Sequence, residues 1–163
     1  MGLRLRLRPR ERIIINGCVV TNGDRRNTIT VSSFGQVLRS KDIMQPEDAQ
    51  TPSQKLYFAI QMLLINGSVS EDDIKHVNRL GSFAFVSLGA DEERGRLLTA
   101  MEHTHQGDYY KALAELRPLL GASKTSEDTD TAYPKELEEA DQAFRAAANA
   151  QFHRLEEDQP LCS

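Results

Sequence analysis

Basic side chains give the start of this sequence its most distinctive chemistry. Arg4, Arg6 and Arg8 alternate with leucines, and an extended strand turns successive side chains to opposite faces. The pattern therefore predicts a strand with leucines on one face and three arginines on the other. Because a guanidinium group binds phosphate through a planar fork of donors, such a face is a candidate site for a polyanion.

Charge is distributed unevenly along the chain around this strand. Residues 1–41 carry nine Lys or Arg against two acids, a net charge of +7, whereas residues 42–163 carry 11 basic and 22 acidic residues, a net charge of −11. This asymmetry favours a polyanion-binding segment joined to an acidic one. The alternative is that the two parts neutralise each other. The candidate RNA-binding residues are Arg4, Arg6, Arg8, Arg25, Arg26, Arg39 and Lys41.

The sequence contains none of the motifs that mark common catalytic sites. It has no glycine-rich phosphate loop, dinucleotide fingerprint, HExxH pair, nucleophile elbow or paired CxxC. His103 and His105, near Glu102 and Asp108, come nearest to a metal site. Residues i and i+2 lie about 200° apart on a helix, however, so the two imidazoles do not share a metal there. We therefore predict a protein that is not an enzyme and holds no cofactor or metal.

Two features bear on where the protein works. No run approaches the roughly 18 apolar residues of a membrane span, and the first residues lack the apolar core of a secretory signal. Cys18 and Cys162 lie far apart in the sequence and make no disulfide framework, which favours a reducing cytoplasm. Because Cys18 lies beside apolar strand residues, we expect it to be buried.

Residues 1–41 have the features of short β-strands joined by tight turns. Apolar runs flank Asn16-Gly17, a pair that tolerates the positive φ angles of a two-residue hairpin loop. A second turn pair, Asn22-Gly23, precedes the alternating run Thr28-Ile29-Thr30-Val31. We predict four or five antiparallel strands in a β-rich basic module.

The next part of the chain has the features of helices. Residues 42–53 form a connector that combines two prolines with acids and glutamines, and residues 54–121 predict a helical module. The end of the second helix stays open, because Phe83–Leu88 suits helix or strand, and the fourth helix is expected to end at Gly121. Start signals for the four helices occur at Thr51, Ser70, Asp91 and Asp108.

Two aromatic pairs, Tyr57-Phe58 and Tyr109-Tyr110, are further candidates for contact with nucleic-acid bases. Both lie at helical spacing within leucine-rich runs. Such a position is more typical of rings that pack at least partly in the core. We therefore expect these rings to pack rather than to stack on bases.

Composition changes again beyond the helical module. Residues 122–133 are rich in Ser, Thr and Asp and predict a flexible linker. Residues 134–163 predict an amphipathic tail helix whose apolar stripe is too thin to be stable alone in water. The predicted fold is therefore α+β, with a small antiparallel β module, an antiparallel helical module and a tail helix. The stripe expected to bind a partner or the rest of the chain is Leu137, Phe144, Phe152 and Leu155.

Several strings within residues 1–121 are distinctive enough to indicate relatives. The most specific are Ile15-Asn16-Gly17-Cys18-Val19-Val20-Thr21-Asn22-Gly23-Asp24-Arg25-Arg26 and Asp42-Ile43-Met44-Gln45-Pro46-Glu47. Shorter ones are Val37-Leu38-Arg39, Thr51-Pro52 and Gly107-Asp108-Tyr109-Tyr110-Lys111-Ala112-Leu113. Together they resemble the FlbT family, the flagellum biosynthesis repressors of some flagellated bacteria. Residues 122–163 look like an extension beyond the family's usual end.

The resemblance implies a post-transcriptional regulator of flagellin. Members of the family associate with the 5′ untranslated region of flagellin mRNA and favour its decay, and some act positively instead. The implied partner is the flagellin mRNA leader, and the resemblance brings no cofactor and no catalytic residue. It leaves open whether the chain contacts RNA itself or acts through flagellin or another flagellar regulator, and whether it forms a homo-oligomer.

The N-terminal strands are also similar to the small carbon-storage regulators, which are β-rich dimers that bind GGA-type loops in messenger leaders. The likeness lies in a Leu/Arg strand followed by Arg12-Ile13-Ile14-Ile15-Asn16-Gly17 and by Gln36-Val37-Leu38-Arg39-Ser40-Lys41-Asp42-Ile43. Pro9-Arg10-Glu11-Arg12 departs from that family, which has a Gly-Glu turn there. The residues to which this likeness assigns RNA contacts are Arg4, Arg6, Arg39 and Lys41.

A second kind of function is also compatible with the sequence. The helices can form an apolar groove for a partner's helix, as in a protein-binding adaptor or a flagellin chaperone without direct RNA contact. The tail stripe would then fill that groove when no partner is bound.

Overall fold

Within residues 2–121 and 134–157, which the computed structural model describes, the chain has five β-strands and five α-helices. The side chains of the last helix are described to residue 150. The predicted α+β class is confirmed. The strands are β1 (Leu3–Leu7), β2 (Arg12–Ile15), β3 (Cys18–Thr21), β4 (Asn27–Val31) and β5 (Val37–Arg39). The helices are α1 (Pro52–Asn66), α2 (Glu71–Ser87), α3 (Asp91–His105), α4 (Tyr109–Leu116) and α5 (Lys135–Glu157).

The strands form two antiparallel sheets. β1 pairs with β4 in a two-stranded ribbon, and β2 lies between β3 and β5 in a three-stranded sheet. The β2–β3 hairpin turns at Asn16 and Gly17, which have φ angles of 48° and 83°, and Ile15 lies opposite Cys18. The predicted two-residue loop is confirmed, and these residue types suit it because both positions need positive φ.

β2, the central strand of the three-stranded sheet, is buried on both faces, and this sets the order of the layers. Ile13 packs with Leu5 and Leu7 of the ribbon in a small apolar core. Ile14 points the other way and belongs to the main core, with the helices. Leu38 of β5 joins the same main core. The apolar core therefore continues across residue 41, and the division of the chain into modules stays a prediction.

One buried amide orders the connector between the sheet and the helices. Two 3-10 turns, Ser40–Asp42 and Pro46–Asp48, lead from β5 towards α1. Gln61 of α1 is fully buried, and its Nε2 donates to the Met44 carbonyl at 2.9 Å while its Oε1 accepts from the Met44 N–H at 2.7 Å. Because both ends of the amide are bonded, its burial carries little penalty. Gln61 thus fixes the course of the connector.

All four predicted helix starts are confirmed, and side-chain capping bonds form at three of them, whereas α3 begins at Asp91 without a side-chain cap from Ala90. Thr51 and Gln54 form a capping box on α1, and Ser70 and Asp73 form one on α2. Asp108 caps α4 through its side chain. These bonds satisfy backbone N–H groups that the first turn of a helix leaves without a partner.

The segment Phe83–Leu88, for which the sequence allowed helix or strand, is helical as far as Ser87. α2 continues through Gly81 and ends at that residue. A Cβ atom on Gly81 would lie 2.8 Å from Met101 Sδ. The absent side chain therefore lets α2 and α3 approach closely, and this contact outweighs the low helix propensity of glycine.

α4 is shorter than expected. It ends at Leu116 rather than at Gly121, and a 3-10 turn follows over Arg117–Leu119. Pro118 has no N–H to donate to the preceding turn, so the α-helical bonding pattern stops there.

The predicted tail helix is confirmed as α5, and it docks on the helical core. Leu137 and Ala148 are buried, and Phe144 packs beside them. α5 lies against α2 and the 3-10 turn before α1. The predicted linker over 122–133, residues 158–163 and the side chains of Phe152 and Leu155 lie outside the described residues. Among the helices described, none combines the length and apolar character needed to cross a membrane.

Gly17 is the turn position least able to accept a side chain. Its φ of +83° disfavours L residues, and a Cβ atom there would lie 3.1 Å from the Ile65 carbonyl oxygen of α1. We expect Gly17→Ala to lower the free energy of unfolding by about 1–2 kcal/mol, measured by urea denaturation. Gly23→Ala is the matched control, because nothing lies within 4 Å of its Cβ position. An equal loss in both variants would contradict this account of the turn.

Candidate nucleic-acid interface

The outer face of the β1–β4 ribbon carries arginines and threonines. Arg4 lies opposite Thr30 and Arg6 lies opposite Thr28, and all four side chains are exposed. Leu5, between the two arginines, is buried on the other face. The predicted alternation is therefore confirmed for β1. We call Arg4, Arg6, Thr28 and Thr30 the arginine face.

The arginine face keeps its positive charge within the described part of the chain. Neither Arg4 nor Arg6 forms an ion pair with a described residue. Both acids of residues 1–41 are engaged elsewhere. Asp24 pairs with Arg10 at 2.9 Å, and Glu11 pairs with a cation of β5. An anion approaching the ribbon therefore meets guanidinium groups without a competing carboxylate.

Arg39, one of the candidate RNA-binding residues, does not lie on an open face, because it pairs with Glu11. Its side chain is 30% exposed, and its Nη1 lies 3.0 Å from Glu11 Oε1. The same nitrogen donates to the Arg6 carbonyl at 3.3 Å. Arg39 therefore fastens β5 to β1 instead of offering free charge, whereas Lys41, two residues on, is exposed.

The Glu11 carboxylate binds both the backbone just after β1 and the side chain of Arg39 on β5. Its Oε2 accepts from the Arg8 N–H at 2.7 Å. That backbone bond, followed by the Arg39 guanidinium, lowers the pKa of the Glu11 carboxyl from its ordinary value and outweighs the effect of burial. An ionised Glu11 is therefore part of the folded structure at neutral pH.

The remaining candidate arginines lie in two loops, and the buried side-chain amide of Asn22 connects these loops. Arg8, Arg25 and Arg26 are exposed. Asn22 is 8% exposed, and its Nδ2 donates to the Arg8 carbonyl at 2.6 Å and to the Arg25 carbonyl at 2.8 Å. Its Oδ1 accepts from Asn27 Nδ2 at 2.9 Å. The sequence indicated only a turn at Asn22, because these partners depend on how two loops meet.

The acidic helices do not neutralise the arginine face in the part of the chain that the structure describes. No helical acid there pairs with Arg4 or Arg6. The helical acids pair with cations of the helices, and they include Asp72, Asp91, Glu92, Asp108, Glu115 and Asp141. The alternative of internal neutralisation therefore finds no support at these two arginines.

A buried carboxylate holds α5 in place. Asp141, 3% exposed, lies 2.8 Å from Arg145 Nη2 on its own helix. It also lies 3.7 Å from Lys55 Nζ and 3.7 Å from His76 Nε2 across the interface. Burial is the main cause that lowers the pKa of Lys55. Phe144 packs on the His76 ring with 4.8 Å between centroids, so part of the predicted partner-binding stripe is used within the chain.

Two residues that were expected to be packed, Cys18 and Tyr110, are exposed in the structure. Cys18 is exposed rather than buried, because it begins an edge strand directly after the hairpin loop. Tyr57 and Phe58 are core residues as predicted, at 2% and 1% exposure. Tyr110, in contrast, is 41% exposed in the first turn of α4.

Of the two histidines near the end of α3, His105 contacts a neighbouring helix. His105 Nε2 lies 2.9 Å from Asn78 Oδ1 and so joins α3 to α2. Over the ranges 2–121 and 134–157, no group of three His, Cys, Asp or Glu side chains is placed to hold a metal ion.

A groove of about 500 Å³ lies between β1, β5 and the start of α4. Leu3, Val37 and Tyr110 contribute to its lining, and so does Phe34 from the loop between β4 and β5. Phe34 is 84% exposed. Phe34 is not among the predicted functional residues, and its only local signal is that it is an aromatic residue in a Ser-Ser-Phe-Gly loop. We call this surface the aromatic groove.

The chain matches known proteins over most of its length. The family model described as flagellar protein FlbT matches residues 3–126. A probable flagellum biosynthesis repressor protein FlbT from Caulobacter sp. (strain K31) is 35% identical over 121 residues, 74% of this chain and 92% of that protein. A protein of the same name from Rhodopseudomonas palustris (strain TIE-1) is 34% identical over 120 residues, 74% of this chain and 93% of that protein.

A third relative matches more of this chain. The probable flagellum biosynthesis repressor protein FlbT 1 from Bradyrhizobium diazoefficiens is 28% identical over 149 residues, 90% of this chain and 100% of that protein. None of the solved structures matches the chain. The resemblance to the FlbT family is therefore confirmed, and the likeness to the carbon-storage regulators stays a prediction.

The lowered pKa of Glu11 makes a prediction about acid stability. The ionised carboxylate stabilises the folded state above its ordinary pKa of 4.5, and this contribution is lost as the pH falls through the lower native value. We expect Glu11→Gln to lower the free energy of unfolding by about 1 kcal/mol at neutral pH, with a smaller difference from the wild type in acid. Urea denaturation across the pH range measures both.

Asp24→Asn provides the control for Glu11→Gln. The Asp24 side chain is 80% exposed in its pair with Arg10, so its removal is expected to change stability by no more than a few tenths of a kcal/mol. A constant difference between Glu11→Gln and the wild type at every pH would rule out a role for the ionised carboxylate.

Proposed function

The chain belongs to the FlbT family of flagellar proteins, and we propose that it regulates flagellin synthesis by binding the 5′ untranslated region of flagellin mRNA. The matched relatives are named flagellum biosynthesis repressors, and the family is one of regulators rather than of enzymes. Binding to the leader would change the stability or the translation of the message. Such a protein works where the message is translated, in the cytoplasm.

The observation that carries this proposal is the open arginine face. Arg4 and Arg6 are exposed on a two-stranded ribbon and have no carboxylate partner among the described residues. Opposite each of them stands a threonine, whose hydroxyl is a second kind of donor to a phosphate oxygen. A row of guanidinium and hydroxyl donors is suited to a sugar–phosphate backbone.

The exposed basic loops extend the same surface beyond the ribbon. Arg8, Arg25 and Arg26 lie at the end where β1 finishes and β4 begins. Because Asn22 holds these loops together, their backbone course is fixed before any ligand binds. A pre-formed basic surface loses less conformational entropy on binding than separate flexible loops would.

Reversal of charge on the ribbon tests the proposal. We expect Arg4→Glu/Arg6→Glu to weaken binding to flagellin leader RNA and to reduce the slope of log affinity against log salt. Each lost phosphate contact removes about 0.7 from that slope for a single strand. Electrophoretic mobility shift at several salt concentrations measures both quantities.

Lys75→Glu/Arg79→Glu is the matched control, because it makes the same change in net charge at exposed positions of α2. It is expected to retain most of the affinity and the slope. If the ribbon variant bound the leader like the wild type, the arginine face would not be the RNA site. If the wild type itself failed to bind the leader, RNA binding would be excluded and the second candidate function, that of a protein-binding adaptor or flagellin chaperone, would be favoured.

The docking of α5 favours that second candidate, a protein-binding adaptor or flagellin chaperone. The surface beneath α5 offers Lys55 and His76 beside the apolar ring of Phe58. Without α5 this surface would pair a cation with an apolar patch, which suits an amphipathic helix that carries a carboxylate. α5 would then be an intramolecular occupant of the site.

The relatives differ in whether they are long enough to contain a helix that corresponds to α5. The Rhodopseudomonas palustris match covers 120 residues, which are 93% of that protein, so about nine of its residues stay unmatched. These are fewer than the 23 residues of α5. The Bradyrhizobium diazoefficiens match covers 149 residues and so extends into α5. The helix therefore behaves as an addition to a common core, which supports a surface that other helices can also occupy.

Asp141→Asn tests whether α5 can be displaced. It leaves Lys55 and Arg145 without their buried counter-charge, so α5 is expected to detach before the core unfolds. Amide hydrogen exchange should rise at least tenfold within α5, and purified flagellin should bind more tightly than to the wild type. Glu139→Gln, at an exposed position of the same helix, is the control. Faster exchange without any gain in flagellin binding would make α5 purely structural.

A further inference from the structure

The aromatic groove brings together the only two exposed Phe or Tyr rings among the residues that the structure describes. Phe34 is 84% exposed and Tyr110 is 41% exposed, and both line the groove. The apolar surface of an aromatic ring is less stable in water than when it is buried, and neither ring is buried in the core. Two such rings in one concave surface indicate a ligand that has a flat apolar face.

Tyr110 is held in position before any ligand arrives. Its backbone N–H donates to Gln36 Oε1 at 3.1 Å, and Gln36 Nε2 donates to the Gly107 carbonyl at 3.3 Å. The Arg117 guanidinium lies over the Tyr110 ring, 5.9 Å from its centroid. One face of the ring is therefore covered by a cation, and the opposite face is the one available for stacking.

The charges that line the groove largely compensate one another. Lys111 pairs with Asp108 at 2.8 Å. Arg39 pairs with Glu11 at 3.0 Å. Lys41 lies in the same lining as Asp42. A groove of this kind suits an uncharged ring better than a phosphate, because a phosphate would have to compete with the carboxylates.

β1 connects the groove to the arginine face. Leu3 and Leu5 line the groove, whereas Arg4 and Arg6 point to the opposite face of the same strand. Among the described residues β1 has one partner strand, β4, and no second strand pairs with its other edge, near which the Arg39 guanidinium binds the Arg6 carbonyl. A ligand that crosses this edge can place charged groups on one face and uncharged rings on the other.

We propose that the aromatic groove binds one or two unstacked bases of a single-stranded RNA whose phosphates lie on the arginine face. This inference rests on the proposed function and names the part of the RNA that the groove takes. A single strand presents backbone and bases separately, whereas a duplex keeps its bases stacked inside. Stacking on aromatic rings accepts every base, so the groove selects for unpaired RNA rather than for one sequence.

Removal of the rings tests the groove in the full-length protein. Phe34→Ala and Tyr110→Ala should each weaken binding to fluorescein-labelled flagellin leader RNA by between about fivefold and a hundredfold. The salt dependence should stay unchanged, because no phosphate contact is lost. Affinity for inorganic polyphosphate, which has no bases, should also stay unchanged. Leu98→Ala is the control, since it removes a side chain that is 56% exposed on α3, outside the groove.

A tryptophan at position 34 provides a direct readout, because the chain contains no Trp. Phe34→Trp should keep the affinity of the wild type, and its fluorescence should be quenched by the leader RNA but not by polyphosphate. Phe34→Leu keeps apolar surface without an aromatic face and should bind as weakly as Phe34→Ala.

The outcomes separate this inference from the function on which it rests. If the wild type binds the leader with a clear salt dependence, but the ring variants bind equally well and Phe34→Trp is not quenched, the groove is not a base site and RNA binding stands. Equal losses for RNA and polyphosphate in Phe34→Ala would also overturn the inference. If the wild type does not bind the leader, the proposed function fails with it.

Discussion

Burial of β2 on both faces is the constraint on which the arrangement of the molecule depends. Ile13 and Ile14 are neighbours on one strand, yet they are 0% and 3% exposed, so the sheet needs an apolar layer on each side. The helices provide one layer and the leucines of the β1–β4 ribbon provide the other. Within the described residues no element packs on the second face of the ribbon, where Arg4, Arg6, Thr28 and Thr30 are exposed. The arginine face is a consequence of this order of layers.

The short range of ion pairs explains why the many acidic residues of the chain do not neutralise the arginine face. Glu11 and Asp24 neutralise Arg39 and Arg10, which lie beside the ribbon rather than on its outer face. The helical acids pair mostly with cations within a turn or two of helix, and Asp141 is buried among cations beneath α5. Direct ion pairs are short-range contacts, and water and salt screen the rest. A net negative chain can thus keep a positive face.

Local sequence rules predicted the elements, and contacts between distant residues account for what they missed. Asn16-Gly17 and Thr51 were predictable because a turn or a cap needs only a few adjacent residues. The register of Arg4 and Arg6 was predictable for the same reason. The partner of Arg39 lies 28 residues away, and the exposure of Cys18 depends on which strand lies at the sheet edge. The aromatic groove was missed because its rings come from a loop and a helix that only the tertiary fold brings together.

The same order of layers bears on how the two proposed surfaces relate. The arginine face lies on the outer side of the ribbon, whereas α5 covers α1 and α2 on the helical side of the sheet. The two surfaces therefore lie on different sides of the three-stranded sheet. A link between them would have to pass through the sheet, where β5 places Leu38 in the helical core and Arg39 against β1. Because those two residues are adjacent, a shift of β5 caused by repacking beneath α5 would also move the Arg39 guanidinium, which binds the Arg6 carbonyl of β1. Such a shift would therefore change the position of β1, the strand that lies between the arginine face and the aromatic groove.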